Sequence, residues 1–590
     1  MFKQTEKEVA FYSRVLEQSK DITKDSHKSI GIFIEELSKK IPKNPALYYQ
    51  DSKWSWKELN EECNKIAHYF LKNELEPGES IALMLKNSPE YLFLVSGINK
   101  IQGINGLINY HQRRHALIHS FNVIHPKYIV IDGPNISAFN EIVEKLSYKS
   151  DQIFVVRNFN DIPHDFIDLT LELKSMPKTD PKTTYNSEIN DVIYYIFTSG
   201  TTGLPKAIKM KHKKIISQGI FLGTALAQLT PKDVIYITTP LYHNIAIGIN
   251  WTAATKSGAA VLLKDRFSVS DFWEDVKKYK VTYTSYVGEI PRYLLNQPYS
   301  EVEKEASIKY MVGLGLRKDI WEKFKSRFNV EHIIEYYGLT EGHRCFINID
   351  EVPGMVGRYN IPGIELAKVD PETGEFFKNE KGFLIKCKNA GDVGMVLIRI
   401  QKNDFFGAYK DEQKTKQKML YNVFRNRDMY FNTGDMLQLH ENGWLSFYDR
   451  TGDTFRWKGE NVSTLEVETI LNSYPAIQVS AVYGVKVPNT EGKAGMATIK
   501  LNPSIKFNLD DFSRFVSEVL PPYSIPVFLR ISDKIDLTGS YKVIKTDLKK
   551  EAYDLSIVKD KLLFWDRVRK KYIPYDENIK KNLITGKLKL

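Results

Sequence analysis

"YIFTSGTTGLPKAIK", residues 195–209, drives a run of apolar and aromatic side chains into three threonines, a serine and two glycines, then closes on Pro205 and Lys206. The run starts earlier, at "DVIYYIF" (191–197), and is apolar on both faces, which suits a strand covered from both sides in a mostly parallel sheet. The same texture recurs in "SIALML", "KYIVID", "QIFVV", "DVIYITT", "AAVLL", "VTYTSYV", "IKYMVGLG" and "HIIEYYGLTE", separated by amphipathic stretches. Buried strands alternating with helical patterns predict an α/β fold. Hydroxyls and glycines at the end of one of them predict a loop whose backbone comes close to a ligand.

Past about residue 450 the pattern shifts. "TLEVETILNSYPAIQVSAVYGVKV" reads as a helix followed by a strand, and "LDDFSRFVSEVLPPYSIPVFLRI" as helix, proline break and strand. A chain of 590 residues exceeds one hydrophobic core, since cores stop growing near roughly 250–300 residues. The expected division is a large α/β domain over 1–449, with layered sheets flanked by helices, and a small mobile α+β domain over 450–590. The charged joint "DRTGDTFRWKGENVS" (449–463) carries Gly452 as a hinge candidate and Gly459 beside it. Glycine there lets the backbone reach dihedrals that other residues avoid.

Hydrophobic residues at 42% and charged residues at 26% exclude wholesale disorder. Cys63, Cys345 and Cys387 lie far apart and fit neither a disulfide framework nor a zinc site. The first thirty residues are polar and mixed in charge, with no signal-peptide core, and no long uncharged apolar run follows. These features point to a cytoplasmic protein without a membrane span, open to loose bilayer contact. A net charge of +11 is spread along the chain without a nucleic-acid signature, so nucleic acid is not an expected partner.

Threonine and serine hydroxyls, close-approaching amides and a mobile lysine together describe a phosphate loop. The spacing departs from a Walker loop, because Lys206 follows Pro205 rather than a glycine. Four further segments keep it company. "EYYGLTEG" (335–342) offers an aromatic for a base, a threonine for phosphate and Glu341 as a hard oxygen ligand. "YFNTGD" (430–435) ends in a carboxylate suited to ribose hydroxyls, "DRTGD" (449–453) adds Arg450, and "LTGSYKVIK" (537–545) offers a lysine after a glycine.

In this order and spacing the segments resemble the adenylate-forming superfamily, the acyl-CoA synthetases and their relatives. The likeness runs from "DSKWSWKELNEECNKIAHYF" at residue 51 onward. "PLYHN", "YVGEIPRYLLNQP", "GLGLRKDIW" and "YDLSIVKDKLLFWDRVRKKYIPYDENI" narrow it to the branch of fatty-acid transport proteins and very-long-chain acyl-CoA synthetases. The resemblance implies an ATP-dependent fatty acyl-CoA ligase: the acid becomes acyl-AMP with release of pyrophosphate, and CoA then takes the acyl group and expels AMP.

By that resemblance Thr198, Ser199, Gly200, Thr201, Thr202, Gly203 and Lys206 hold the phosphates, and Glu341 with Thr198 holds Mg2+. Thr340 touches the α-phosphate. Tyr337 stacks on adenine, opposite the segment of Gly313, Leu314, Gly315 and Leu316. Asp435 takes the ribose with Arg450. Lys542 is the adenylation lysine from the small domain, with Lys545 as runner-up, and rotation of that domain exchanges Lys542 for a face bearing Gly459. His243, Tyr286, Gly288 and Glu289 border the acyl group, His243 as gate or polar wall rather than base. Two departures from the branch, His343 after "TEG" and Leu314 within "GLGLR", leave chain length open.

Three other readings fit parts of the pattern. One activates another apolar carboxylate of the bile-acid kind. A second passes the acyl group to a carrier protein, although no carrier domain follows in the chain. The third is a fatty-acid uptake or binding protein without turnover, which the intact Thr198, Lys206, Glu341, Asp435 and Lys542 oppose. Oligomeric state is not legible.

Overall fold

Each of the nine apolar runs is a strand in the computed structural model. It describes residues 4–588 apart from 24–25, 158–161, 163–165, 200–204, 289, 307, 343, 371–373, 401–408, 451–454, 458–459, 489, 491, 538–542 and 586. The described chain forms two compact units, one of residues 3–354 with 405–417 and one of 355–404 with 418–590.

The first unit is built on two sheets. One runs, in spatial order, Phe346–Asn348, His332–Tyr337, Tyr310–Leu314, Tyr283–Val287, Val234–Ile237, Ala260–Leu263, Pro45–Tyr49 and Ser52–Ser55, antiparallel only at its two edges. The other runs Ile167–Asp168, Ile153–Val156, Tyr128–Asp132, Ser80–Met84, Ile104–Leu107, Val192–Ser199 and Pro205–Lys211, antiparallel only in the last pair. Burial from both faces explains the unbroken apolar sequence: every residue of Ser80–Met84, Ile153–Val156 and Ala260–Leu263 is buried.

The covering helices begin where the sequence supplies caps. Ser55 and Glu58 form a capping box at the start of Trp56–Lys72, whose inner face buries Trp56, Leu59, Ile66 and Phe70. Ser88 caps Pro89–Asn99, with proline in its first turn. The amino-terminal helix Glu6–Ser19 packs Phe11 against Phe221, ring centroids 4.8 Å apart, and ties Arg14 Nε to the carbonyl of Ala225 at 2.8 Å. Phe221 belongs to the π-helical turn Ile220–Thr224, and a second π-helical segment, Ile245–Trp251, follows His243.

The second unit contains an antiparallel sheet in which Met429–Leu439 pairs with Val393–Arg399 on one side and Trp444–Arg450 on the other. It also holds the five-stranded sheet Ile477–Val485, Ala494–Leu501, Phe528–Ile531, Lys561–Asp566 and Lys571–Pro574. The helices Thr464–Ser473 and Leu509–Val519 and the strands after them lie where the sequence texture put them. Their apolar faces meet in a core that includes Leu471, Val482, Met496, Phe512 and Phe528. No described helix is long and apolar enough to cross a membrane.

Candidate active site

Lys206 is the cross-strand partner of Thr198, and Pro205 that of Ser199. Directly opposed residues on an antiparallel pair send their side chains to one face, so the register puts a hydroxyl and an ammonium side by side. Residues 200–204 between these strands lie outside the described residues, so Gly200, Thr201, Thr202 and Gly203 are not placed, and Ser199 is described in its backbone alone. Lys206 is buried at 9% exposure. Its ammonium stands 5.3 Å from the ring centroid of Tyr409, a cation–π contact in a desolvated setting.

Glu341 arrives from a different sheet. The strand His332–Tyr337 ends in Tyr337, and a turn closed by Gly342 N donating to the carbonyl of Leu339 at 3.1 Å carries Thr340 and Glu341. Thr198 Oγ1 donates to Glu341 Oε1 at 3.4 Å across 143 residues of chain, and the Tyr409 hydroxyl donates to the same oxygen at 3.1 Å. Tyr409 is itself fixed on the edge of the Val192–Ser199/Pro205–Lys211 hairpin by a bridge to Ile208, with Lys410 N donating to Ala207 O at 2.8 Å. Lys214, from the helix His212–Gly219, donates to the carbonyl of Thr340. Desolvation pulls the Lys214 ammonium down to about 8, and the Glu341 carboxylate opposes that shift. A carboxylate oxygen with a hydroxyl beside it forms the hard-oxygen donor set that a divalent cation prefers.

Behind this cluster sits a second carboxylate. Glu335 is buried and accepts from the Tyr286 hydroxyl at 2.5 Å, from Gly315 N at 3.0 Å and from Leu316 N at 2.8 Å. Burial drives its carboxyl up to about 7, against the pull of those three donors. The bonds hold the turn after Gly313 and Leu314, in which Gly315 has φ +93°. At Gly313 only glycine fits, because a Cβ would stand 2.2 Å from the Tyr286 carbonyl oxygen and 2.7 Å from its ring. Gly288 N closes the same region by donating to Leu314 O at 2.9 Å. Tyr337 is buried and lies 6.2 Å, ring to ring, from Phe346. His243 follows Tyr242, whose ring is 4.4 Å away, at the entrance to the π-helical segment. Glu289 and His343 lie outside the described residues.

In the second unit Asp435 is buried in Met429–Leu439 and faces Arg450 across the antiparallel pair. Its amide donates to Thr433 Oγ1 at 3.1 Å, and Gly434 next to it has φ +82°. Arg450 is described in its backbone alone, and Gly452, Gly459 and Lys542 lie outside the described residues. Lys545 pairs with Glu468 Oε1 at 2.8 Å and donates to Thr464 Oγ1 at 3.1 Å. Tyr409, Lys214 and Glu335 were not singled out by sequence. Glu335 stood inside a quoted motif, but Lys214 reads as one of several lysines in "KMKHKK" and Tyr409 as one tyrosine in a polar stretch.

A two-sheet α/β unit with a hydroxyl–lysine hairpin facing a threonine–glutamate turn is the arrangement of an adenylate-forming enzyme. The chain belongs to the AMP-binding enzyme family, whose pattern matches residues 34–391, with the AMP-binding enzyme C-terminal domain matching 466–542. Among its relatives, long-chain fatty acid transport protein 6 of Mus musculus is 36% identical over 560 residues, covering 94% of this chain and 90% of that protein. A medium/long-chain-fatty-acid–CoA ligase of Mycobacterium tuberculosis is 33% identical over 551 residues, covering 93% of this chain and 90% of its own. The fold matches the crystal structure of an anthranilate CoA ligase, AuaEII, in complex with anthranoyl-AMP, with a TM-score of 0.74 at 20% identity over 90% of this chain and 98% of that one.

Proposed function

We propose that the protein is an AMP-forming ligase that activates a long- or very-long-chain fatty acid with ATP and transfers it to CoA. In the first half-reaction a carboxylate oxygen of the acid attacks the α-phosphorus and pyrophosphate leaves. In the second, the CoA thiolate attacks the acyl carbonyl and AMP leaves. The observation that supports this most is the meeting of Thr198 with Glu341 at 3.4 Å, next to a buried lysine. Fixed donors and cations aimed at a phosphoryl group stabilise the charge that builds there better than water does.

In this reading Lys206 and the hydroxyls of 198–202 draw charge toward the departing pyrophosphate. Thr340 bonds the α-phosphate. Tyr337 and the 313–316 turn enclose adenine, and Asp435 with Arg450 holds the ribose. Glu341 and Thr198 would hold Mg2+, which supplies charge neutralisation on the phosphates. His243, Tyr286, Gly288 and Glu289 border the carboxylate end of the acyl chain. Residues 450–590 turn about Gly452 between the half-reactions, bringing Lys542 for the first and Gly459 for the second. Contact with a bilayer, where acyl substrates reside, is peripheral.

Pyrophosphate release across a panel of carboxylic acids, with and without CoA, tests the assignment. Release that peaks with palmitate or longer acids and yields the CoA thioester supports it. Release that peaks with a bile acid, or that never yields a thioester with CoA, redirects it. No release with any acid removes it.

A further inference from the structure

Lysine is among the residues least often found in a protein interior, and its desolvated amine needs a stated partner. Lys214 is partly buried, and among the described residues its amine donates to the backbone carbonyl of Thr340, one residue before Glu341. The helix that carries it, His212–Gly219, follows without a break from Pro205–Lys211, the strand that bears Lys206. One continuous stretch of chain therefore supplies Lys206 from one end and Lys214 from the other.

From this geometry we propose that Lys214 is a positioning residue for the adenylation step, an inference that rests on the ligase reading above. Its bond to the Thr340 carbonyl locks the turn that presents Thr340 and Glu341, and its charge lies close enough to Glu341 for the two to interact electrostatically. Thr198 and Tyr409 hold the carboxylate at its oxygen, and Lys214 holds the carbonyl of the residue before it. A turn free of that anchor would let Thr340 and Glu341 wander by an ångström or so, a displacement large enough to slow an oriented displacement at phosphorus. Thioester formation makes a smaller demand: the α-phosphate that Thr340 bonds remains in acyl-AMP, but the bond formed is at the acyl carbonyl and the pyrophosphate, with the charge that Glu341 would help neutralise, has already left.

Full-length wild type, Lys214→Met and Lys214→Arg are compared in three measurements. These are pyrophosphate release with palmitate, thioester formation from supplied palmitoyl-AMP and CoA, and calorimetric binding of ATP without acid. The expected result for Lys214→Met is a fall of about ten-fold or more in kcat/KM for ATP, with the palmitate KM and the palmitoyl-AMP half-reaction within about three-fold of wild type. Lys214→Arg, which keeps the cation, recovers most of the loss. Equal slowing of both half-reactions by Lys214→Met would mark a purely structural lysine and overturn the inference, as would an unchanged kcat/KM for ATP. Should Lys214→Met fail to fold, Lys214→Gln keeps a donor without the charge and is judged by the same split. Wild type that binds ATP but releases no pyrophosphate with any acid would sink the ligase reading instead, and ATP affinity would still rank the variants.

Discussion

Glu341 receives hydrogen bonds from Thr198 and Tyr409 on one oxygen, so its position is set by residues far away in sequence. Replacement by glutamine keeps the shape and removes the charge. Pyrophosphate release from Glu341→Gln is expected to fall by about two to three orders of magnitude, by analogy with loss of one fixed electrostatic group elsewhere, read from initial rates with palmitate and ATP. Glu335 is a buried carboxyl, and burial dominates its ionisation. Its carboxyl sits at about 7 in the folded protein against the ordinary 4.5. The folded state thus keeps a proton that the unfolded chain has shed between those values, and stability falls as pH rises through that window, levelling above about 7. Glu335→Gln has no such proton, so the stability of wild type relative to this variant should drop by about 3 kcal/mol between pH 4.5 and 8, measured by urea unfolding at each pH. At this scale Thr198, Lys206 and Glu341 were candidates in the sequence because they stand in motifs dense with one chemistry, and the fold brings Thr198 to Glu341 at 3.4 Å with Lys206 across the strand pair. Lys214 and Tyr409 were illegible because their contacts with Thr340 and Glu341 come from packing between segments that no short window contains.

Among the elements, the nine strands were legible because burial from both faces keeps polar residues in them few, and those few, such as Glu335, Thr284 and Ser285, are themselves buried. The antiparallel sheet around Met429–Leu439 was not: burial along that strand alternates irregularly and register shifts interrupt two of its ladders, although Val393–Arg399 is buried at all but its last residue. The π-helical turns Ile220–Thr224 and Ile245–Trp251 leave no mark in residue choice, because an extra residue per turn is a matter of packing. Two elements that were legible meet at Gly313, where the strand Tyr310–Leu314 lies flat against Tyr286. Gly313→Ala places a methyl group 2.2 Å from a backbone oxygen, which no rotamer change relieves. The expected cost is about 3 kcal/mol of stability in urea unfolding, together with a raised KM for ATP because the 313–316 turn moves. A variant as stable as wild type would show that the strand pair can shift apart.

Over the whole molecule, the texture after about residue 450 read as helix, strand, helix and strand, and those elements fall where it placed them. The unit that gathers 355–404 with 418–590 was not foreseen, because its amino-terminal part pairs in antiparallel ladders with strands on the near side of 450. The proposed reaction in two halves, with residues 450–590 offering a different face to each, carries its own prediction. Lys542→Ala should abolish pyrophosphate release with palmitate while leaving thioester formation from supplied palmitoyl-AMP within about three-fold of wild type, and equal loss of both would move the adenylating role elsewhere. The most direct trial of the central claim is a product balance: palmitate, ATP and CoA incubated with the purified chain and all nucleotides and thioesters quantified together. Equal amounts of AMP, pyrophosphate and palmitoyl-CoA are expected; ADP with inorganic phosphate, or palmitoyl-CoA without AMP, would contradict it.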